Sequence, residues 1–193
     1  MDQHPKNLKS RLKALRRETA DHRWFIPQLP LRKILSEDTI RKALQEAETK
    51  PYQLDEMVKH ILAGGMKIFA ILVLTDQPAL TSKFIEEGEL HDQRLPFLSG
   101  TLHKQLSLPS AKDFYERQWE LTAPTFYHGA INKLLNERSV LPFVKEKHIG
   151  KGAFGTVYEI ELDHDHQQLE GPFQNKVRWY SMPRSSVHTN NAL

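Results

Sequence analysis

"QLDEMVKHILAGGMKIFAILVLT" (Gln53–Thr75) changes character halfway along. The first half spaces Leu54, Met57, Val58, Ile61 and Leu62 by threes and fours, the apolar stripe of a helix packed on one side. From Ile68 to Leu74 every residue is apolar, so the second half is enclosed on all sides and marks the centre of the core. Gly64-Gly65 lie between the halves. Each weakens a helix by roughly 1 kcal/mol relative to alanine, which predicts a kink or break there. The apolar run itself, Ile61–Leu74, carries Lys67 and falls short of the roughly 20 residues a bilayer span needs. The stretch reads as a core helix.

Helical patterns continue on both sides. Upstream, "PKNLKSRLKALRRETADHRW" sets Leu8, Leu12, Ala14 and Leu15 among Lys9, Arg11, Lys13, Arg16 and Arg17. This is an amphipathic helix docked through its leucines, with a solvated basic face that Glu18 and Asp21 interrupt. In "LRKILSEDTIRKALQEAE", Ser36 suits an N-cap, Glu37 and Asp38 suit a first turn, and Ile40, Ala43, Leu44 and Ala47 share a face. Downstream, a short helix is expected at Ala79–Glu87, closed by Gly88 at C′. Another is expected at Ala111–Leu121, capped by Ser110, with Phe114, Gln118, Trp119 and Leu121 facing inward. Residues 1–140 thus read as one helical region in which nothing looks catalytic.

Composition narrows the class. Of 193 residues, 39% are hydrophobic and 26% charged, an ordinary globular balance. The net charge of +3 is too small to imply nucleic acid or an anionic membrane. There is no cysteine, which excludes disulfides and thiolate zinc sites. The N-terminus has no apolar leader. The expected setting is intracellular, cytoplasmic or nuclear.

Chemistry concentrates near the end, in "HIGKGAFGTVYEIEL" (His148–Leu162). Gly150, Gly152 and Gly155 satisfy G-x-G-x-x-G, a pattern shared by several nucleotide sites. A dinucleotide turn needs a helix after the loop. Here Tyr158, Ile160 and Leu162 alternate with Val157, Glu159 and Glu161, which is a strand. An extended run with Phe143, Val144 and Ile149 precedes the loop, and no G-K-S/T follows it. Strand, glycine loop, strand makes a hairpin able to lie over phosphates. Beyond it, Asp163, His164, Asp165 and His166 read as a polar turn, with two-His or two-Asp metal binding as the alternative.

"IGKGAFGTVY" resembles the protein-kinase family, whose G-x-G-x-F-G-x-V pattern it reproduces, including the apolar residue before the first glycine. The resemblance implies an ATP-covering loop made of Gly150, Lys151, Gly152, Ala153, Phe154 and Gly155. Ile149 and Val157 would sandwich the adenine, and Phe154 would cap the tip. Upstream, "FAILVL", "LPF" and "QWELTAPTF" are similar to a group of fungal serine/threonine kinase-like proteins with a helical N-terminal region. The likeness covers residues 30–168 and is strongest at 141–162.

The pattern then stops. Lys176 is the only downstream candidate for the strand lysine that holds the phosphates, but Gln174 and Asn175 are not the apolar flanks of that strand. No H-R-D, D-F-G or A-P-E occurs, so the catalytic base and the magnesium ligands of the family are missing. "KDFYERQW" (Lys112–Trp119) offers Asp113-Phe114 but continues with Tyr115, and it precedes the loop. The fold expected is therefore mainly α: a helical region 1–140, a partial kinase small lobe 141–182 consisting of one hairpin, and a disordered tail 183–193. The function expected is that of a kinase-like chain truncated after its loop, with weak ATP binding and no activity of its own. The alternative is a helical protein-protein interaction module, residues 30–140, with a vestigial kinase segment. Nucleic-acid binding lacks both aromatic interleaving and a recognised fold.

Overall fold

The kink predicted at Gly64-Gly65 is the feature around which the helices assemble. In the computed structural model, which describes residues 7–104, 108–127, 136–152, 155–169 and 176–181, helix α4 (Pro51–His60) passes through a π-helical turn, Ile61–Gly65, into α5 (Met66–Leu74). Gly64 leaves helical geometry there (φ 166°, ψ 12°). Gly65 is dictated by packing, since a Cβ on it would sit 2.6 Å from Leu90 Cγ. The break strips helical partners from the first amides of α5, and Asp92 replaces them. Its carboxylate accepts from Lys67 N–H (2.9 and 3.0 Å) and Ile68 N–H (3.1 Å). The wider turn also shifts the apolar stripe: Ile61 is fully buried, whereas Leu62, expected beside it, is exposed.

One expectation is corrected by this continuity. Joined through the π turn, Pro51–Leu74 is 24 residues with a mean hydropathy of 1.8 in its most apolar window, long and apolar enough to cross a membrane. Here 61% of that window lies buried inside the protein, and Ile68–Leu72 have no exposed surface. It packs as the core helix.

Around it lie α1 (Leu8–Ala14), α2 (Gln28–Ile34), α3 (Glu37–Glu46), α6 (Thr81–Glu86), α7 (Ser99–Lys104) and α8 (Ala111–Leu121). Leu8 and Leu12 dock α1, as the stripe predicts, but the helix ends at Ala14 and does not run on through Arg16 and Arg17. Ser36 caps α3 by accepting from Thr39 N–H (3.3 Å). Gly88 (φ 67°) closes α6 in a Schellman motif, with Glu89 N–H on Phe84 C=O (2.8 Å) and Gly88 N–H on Ile85 C=O (2.9 Å). Ser110 stands at the N-cap of α8 but its hydroxyl makes no cap bond. Fully buried Gln118 instead bonds both backbone groups of Phe97 (2.7 and 3.0 Å), tying α8 to the chain before α7. Phe84, Phe97 and Phe114 cluster next to it, which settles Asp113-Phe114 as packing. The mainly helical expectation stands.

Among the described residues, three small sheets complete the fold. Strands β1 (Arg17–Glu18) and β2 (Trp24–Phe25) pair antiparallel. Strand β3 (Phe126–Tyr127) pairs parallel with β6 (Gln167–Gln168). Strands β4 (Phe143–Gly152) and β5 (Gly155–Leu162) form the expected hairpin, and β7 (Lys176–Ser181) adds to β5 in the order β4-β5-β7. The expectation of a lone hairpin is thus corrected. A two-stranded hairpin is marginal in water, and a third strand with one buried face relieves that. Residues 183–193, expected to be a disordered tail, lie outside the described residues.

Candidate functional site

The glycine hairpin is built by register. His148 pairs with Tyr158, Gly150 with Val157, Lys151 with Thr156 and Gly152 with Gly155. Ile149 is the extra residue of a β-bulge between the first two pairs, and it is half exposed (49%). Bulges re-aim the strand that carries them, so the tip twists away from the base. Ala153 and Phe154 lie outside the described residues. Gly150 is the informative position. Its φ is outside the left-handed region, and a Cβ there would meet nothing within 4 Å. Among the described residues, neither backbone conformation nor internal packing requires glycine at 150.

The register brings together Ile149, Gly150, Lys151, Gly152, Gly155 and Val157 at one end of the hairpin. It does not bring Lys176 there. Its Cα lies opposite Glu161, six residues along β5 from Gly155, or about 20 Å.

At its other end the sheet is fixed to the helical region. Phe143, Ile160 and Leu162 are buried with Phe126, Leu141, Tyr158 and Leu169 against them. Ala20 N–H donates to Phe143 C=O (2.7 Å), and Asp163 N–H to Pro142 C=O (2.9 Å). Arg17 on β1 spans two carboxylates, Asp163 at 2.5 Å and Asp165 at 2.8 Å. Asp163 is only 4% exposed. Burial opposes the Arg17 charge, but hydrogen bonds and charge from Asp163 and Asp165 outweigh it and hold its pKa above the ordinary value. Arg23 adds a bond from its guanidinium to Ser139 C=O (3.1 Å).

His166 is buried beside this clamp, edge-on to Phe25 at 5.1 Å between ring centres. Its Nδ1 lies 3.1 Å from Pro124 C=O, an acceptor only, so Nδ1 carries the proton. Among the described residues Nε2 has no hydrogen-bond partner. Burial pushes this histidine below its usual pKa, against the opposing effect of the Pro124 carbonyl. The segment Asp163–His166 is therefore a 3-10 turn leading into β6, not a turn between paired strands. Asp163, His164 and Asp165 do offer ligand atoms within 4.8 Å of one another. The Arg17 guanidinium supplies the positive charge that both aspartates need, so the cluster reads as an ion-pair network.

Sequence reasoning names Arg17 and His166 but reads neither the clamp nor the buried ring. Arg17 pairs across 146 residues, and its neighbourhood reads as the charged back of a helix. Nothing local marks a partner that distant. No known protein family matches the chain, and no curated protein and no solved structure is similar to it.

Proposed function

We propose that the β4-β5 hairpin is a nucleotide-phosphate loop of the protein-kinase type that binds ATP weakly. One observation carries the reading. Glycine stands at 150 where, among the described residues, neither fold nor packing uses it, and an absent side chain there lets a ligand approach the backbone amides. The F-G-x-V continuation and the strand on each side favour a kinase-type loop over a dinucleotide turn.

Magnesium does not fit this hairpin. Among the described residues the acidic group lies beyond the far end of β5, already held by Arg17. The 193 residues contain no H-R-D base, so the reading is binding without phosphoryl transfer. An affinity near the millimolar range, about −4 kcal/mol, is what a loop without a strand lysine would supply. Titration of the full chain with ATP, followed by calorimetry or ligand-observed NMR, tests it. Saturable binding lost in Gly152→Asp is expected. Absence of saturation, or binding indifferent to Gly152→Asp, overturns the proposal.

A further inference from the structure

A cavity of about 260 Å³ opens beside the kink, between α2, the π turn and the start of α5. Its charged lining is Arg32, Lys67 and Asp92, and Leu31, Leu62 and Met66 contribute apolar wall. Asp92 is already committed. Both its oxygens accept backbone N–H groups at the start of α5, so the helix end is capped from within. Neither cation has a carboxylate within ion-pair distance among the described residues. Two cations and the committed Asp92 carboxylate thus border one cavity, leaving its charged lining net positive.

We propose that this cavity binds a phosphate group through Arg32 and Lys67. A phosphate group would bridge the two cations, the guanidinium gripping two oxygens and the ammonium acting as a point charge, and Asp92 on the same wall favours its monoanion over its dianion. The electrostatics of Lys67 fit this use. Burial pulls its pKa below the usual lysine value and Arg32 adds to that, against the opposing pull of Asp92. An anion between the two cations would relieve both penalties. The π turn forms one wall of the cavity, through Leu62, Ala63 and Gly64. The apolar wall suits a phosphate monoester with a small hydrophobic substituent. This site is separate from the glycine hairpin, and neither proposal needs the other.

The test uses the full chain with two probes, inorganic phosphate and phenyl phosphate, followed by ³¹P line broadening. Thermal melts at ionic strength matched with chloride run alongside. Saturable broadening by phenyl phosphate is expected, with affinity reduced at least tenfold by Arg32→Gln or Lys67→Gln. Exposed Lys33→Gln on the same helix should have no effect, nor should Gly152→Asp. If Lys67→Gln fails to fold, Arg32→Gln decides, because Arg32 is exposed. An equal response to phosphate and chloride means an adventitious ion only and overturns the proposal. So does retention of binding in Arg32→Gln, or an equal loss in Lys33→Gln. Saturation by inorganic phosphate with no gain for phenyl phosphate would overturn the monoester assignment.

Discussion

Replacing Arg17 by methionine asks whether the clamp fastens the sheet to the helices. Methionine keeps an unbranched apolar stem in place of the Arg17 methylenes and removes the guanidinium. Asp163 would then be buried with an unpaired charge, and breaking such a pair costs about 3–5 kcal/mol when both partners are enclosed. Arg17 is 31% exposed, so solvent screens part of the field, and Asp163 keeps its bond from Asp165 N–H at 3.0 Å. A loss of about 2–3 kcal/mol follows, or roughly 5–10 °C in Tm for a chain of this size. Lys145→Ala is the comparison. It removes an equally direct contact to Glu161, 2.8 Å, but from a side chain 75% exposed, and should cost about 0.5 kcal/mol or less. Urea unfolding read by circular dichroism gives both numbers, and hydrogen exchange locates the loss. Exchange in Arg17→Met should accelerate first in β4, β5 and β7, with α5 last. If Arg17→Met falls within 0.5 kcal/mol of Lys145→Ala, the clamp is not what holds the sheet. Uniform acceleration throughout the core would refute the local anchoring argument as well.

Two further outcomes follow from the core and the junction. Gly65→Ala should destabilise by about 1–3 kcal/mol in urea unfolding, because the new methyl meets buried Leu90, whereas Gly64→Ala has 3.8 Å to its nearest neighbour and should be tolerated far better; equal losses would remove the packing explanation for Gly65. His166 has a folded pKa below that of the unfolded chain, so the unfolded state takes up the proton first as pH falls. The associated stability is complete above about pH 6.5 and declines below it, by up to about 1.4 kcal/mol per pH unit. Asp163 and Asp165 soften this decline and Lys67 sharpens it. Unfolding midpoints at pH 7.5 and 5.5 should therefore differ more for the wild type than for His166→Gln, and identical differences would contradict the assignment.

Local chemistry made much of the fold readable. The kink at Gly64-Gly65, the Ser36 cap, the Gly88 terminus and the inward face of α8 each depend on residues within one or two turns of one another. The hairpin followed from period-two alternation in β5. What stayed hidden depends on distance or on count. The π turn inserts a residue into the helical period and moves Leu62 to the surface, a shift that no 3.6-residue pattern contains. Strand β7 begins at Lys176, well beyond the end of β5 at Leu162, so its pairing emerges only once both strands exist. Asp92 caps a helix that begins 26 residues before it. The tip of the loop, by contrast, was legible as a motif but not as a site, because a motif specifies backbone freedom and not what lies beneath it.

That last distinction bears on affinity. The sheet is held at Phe143, Leu162 and Asp163, while the glycines stand at the opposite end of β4, about 20–30 Å away at the usual strand rise. Hydrogen bonds, the Arg17 clamp and apolar burial all act on the base. Near the tip, Ile149 is half exposed and Lys151 is exposed. Ordering a loop around a nucleotide carries a conformational entropy cost of about 1–2 kcal/mol per residue, which binding contacts must offset. On the proposed ATP-binding reading, a rigid base would shorten the segment that has to be ordered, so β7 and the clamp would lower that cost without touching the ligand. Weakening the base should therefore weaken ATP binding at an unchanged loop sequence. In Arg17→Met the apparent Kd for ATP should rise several-fold under conditions where the chain remains folded, while Lys145→Ala leaves it unchanged. An unaltered Kd in Arg17→Met would mean that the loop binds independently of its anchor, and the path from Arg17 to the glycines would carry no functional weight.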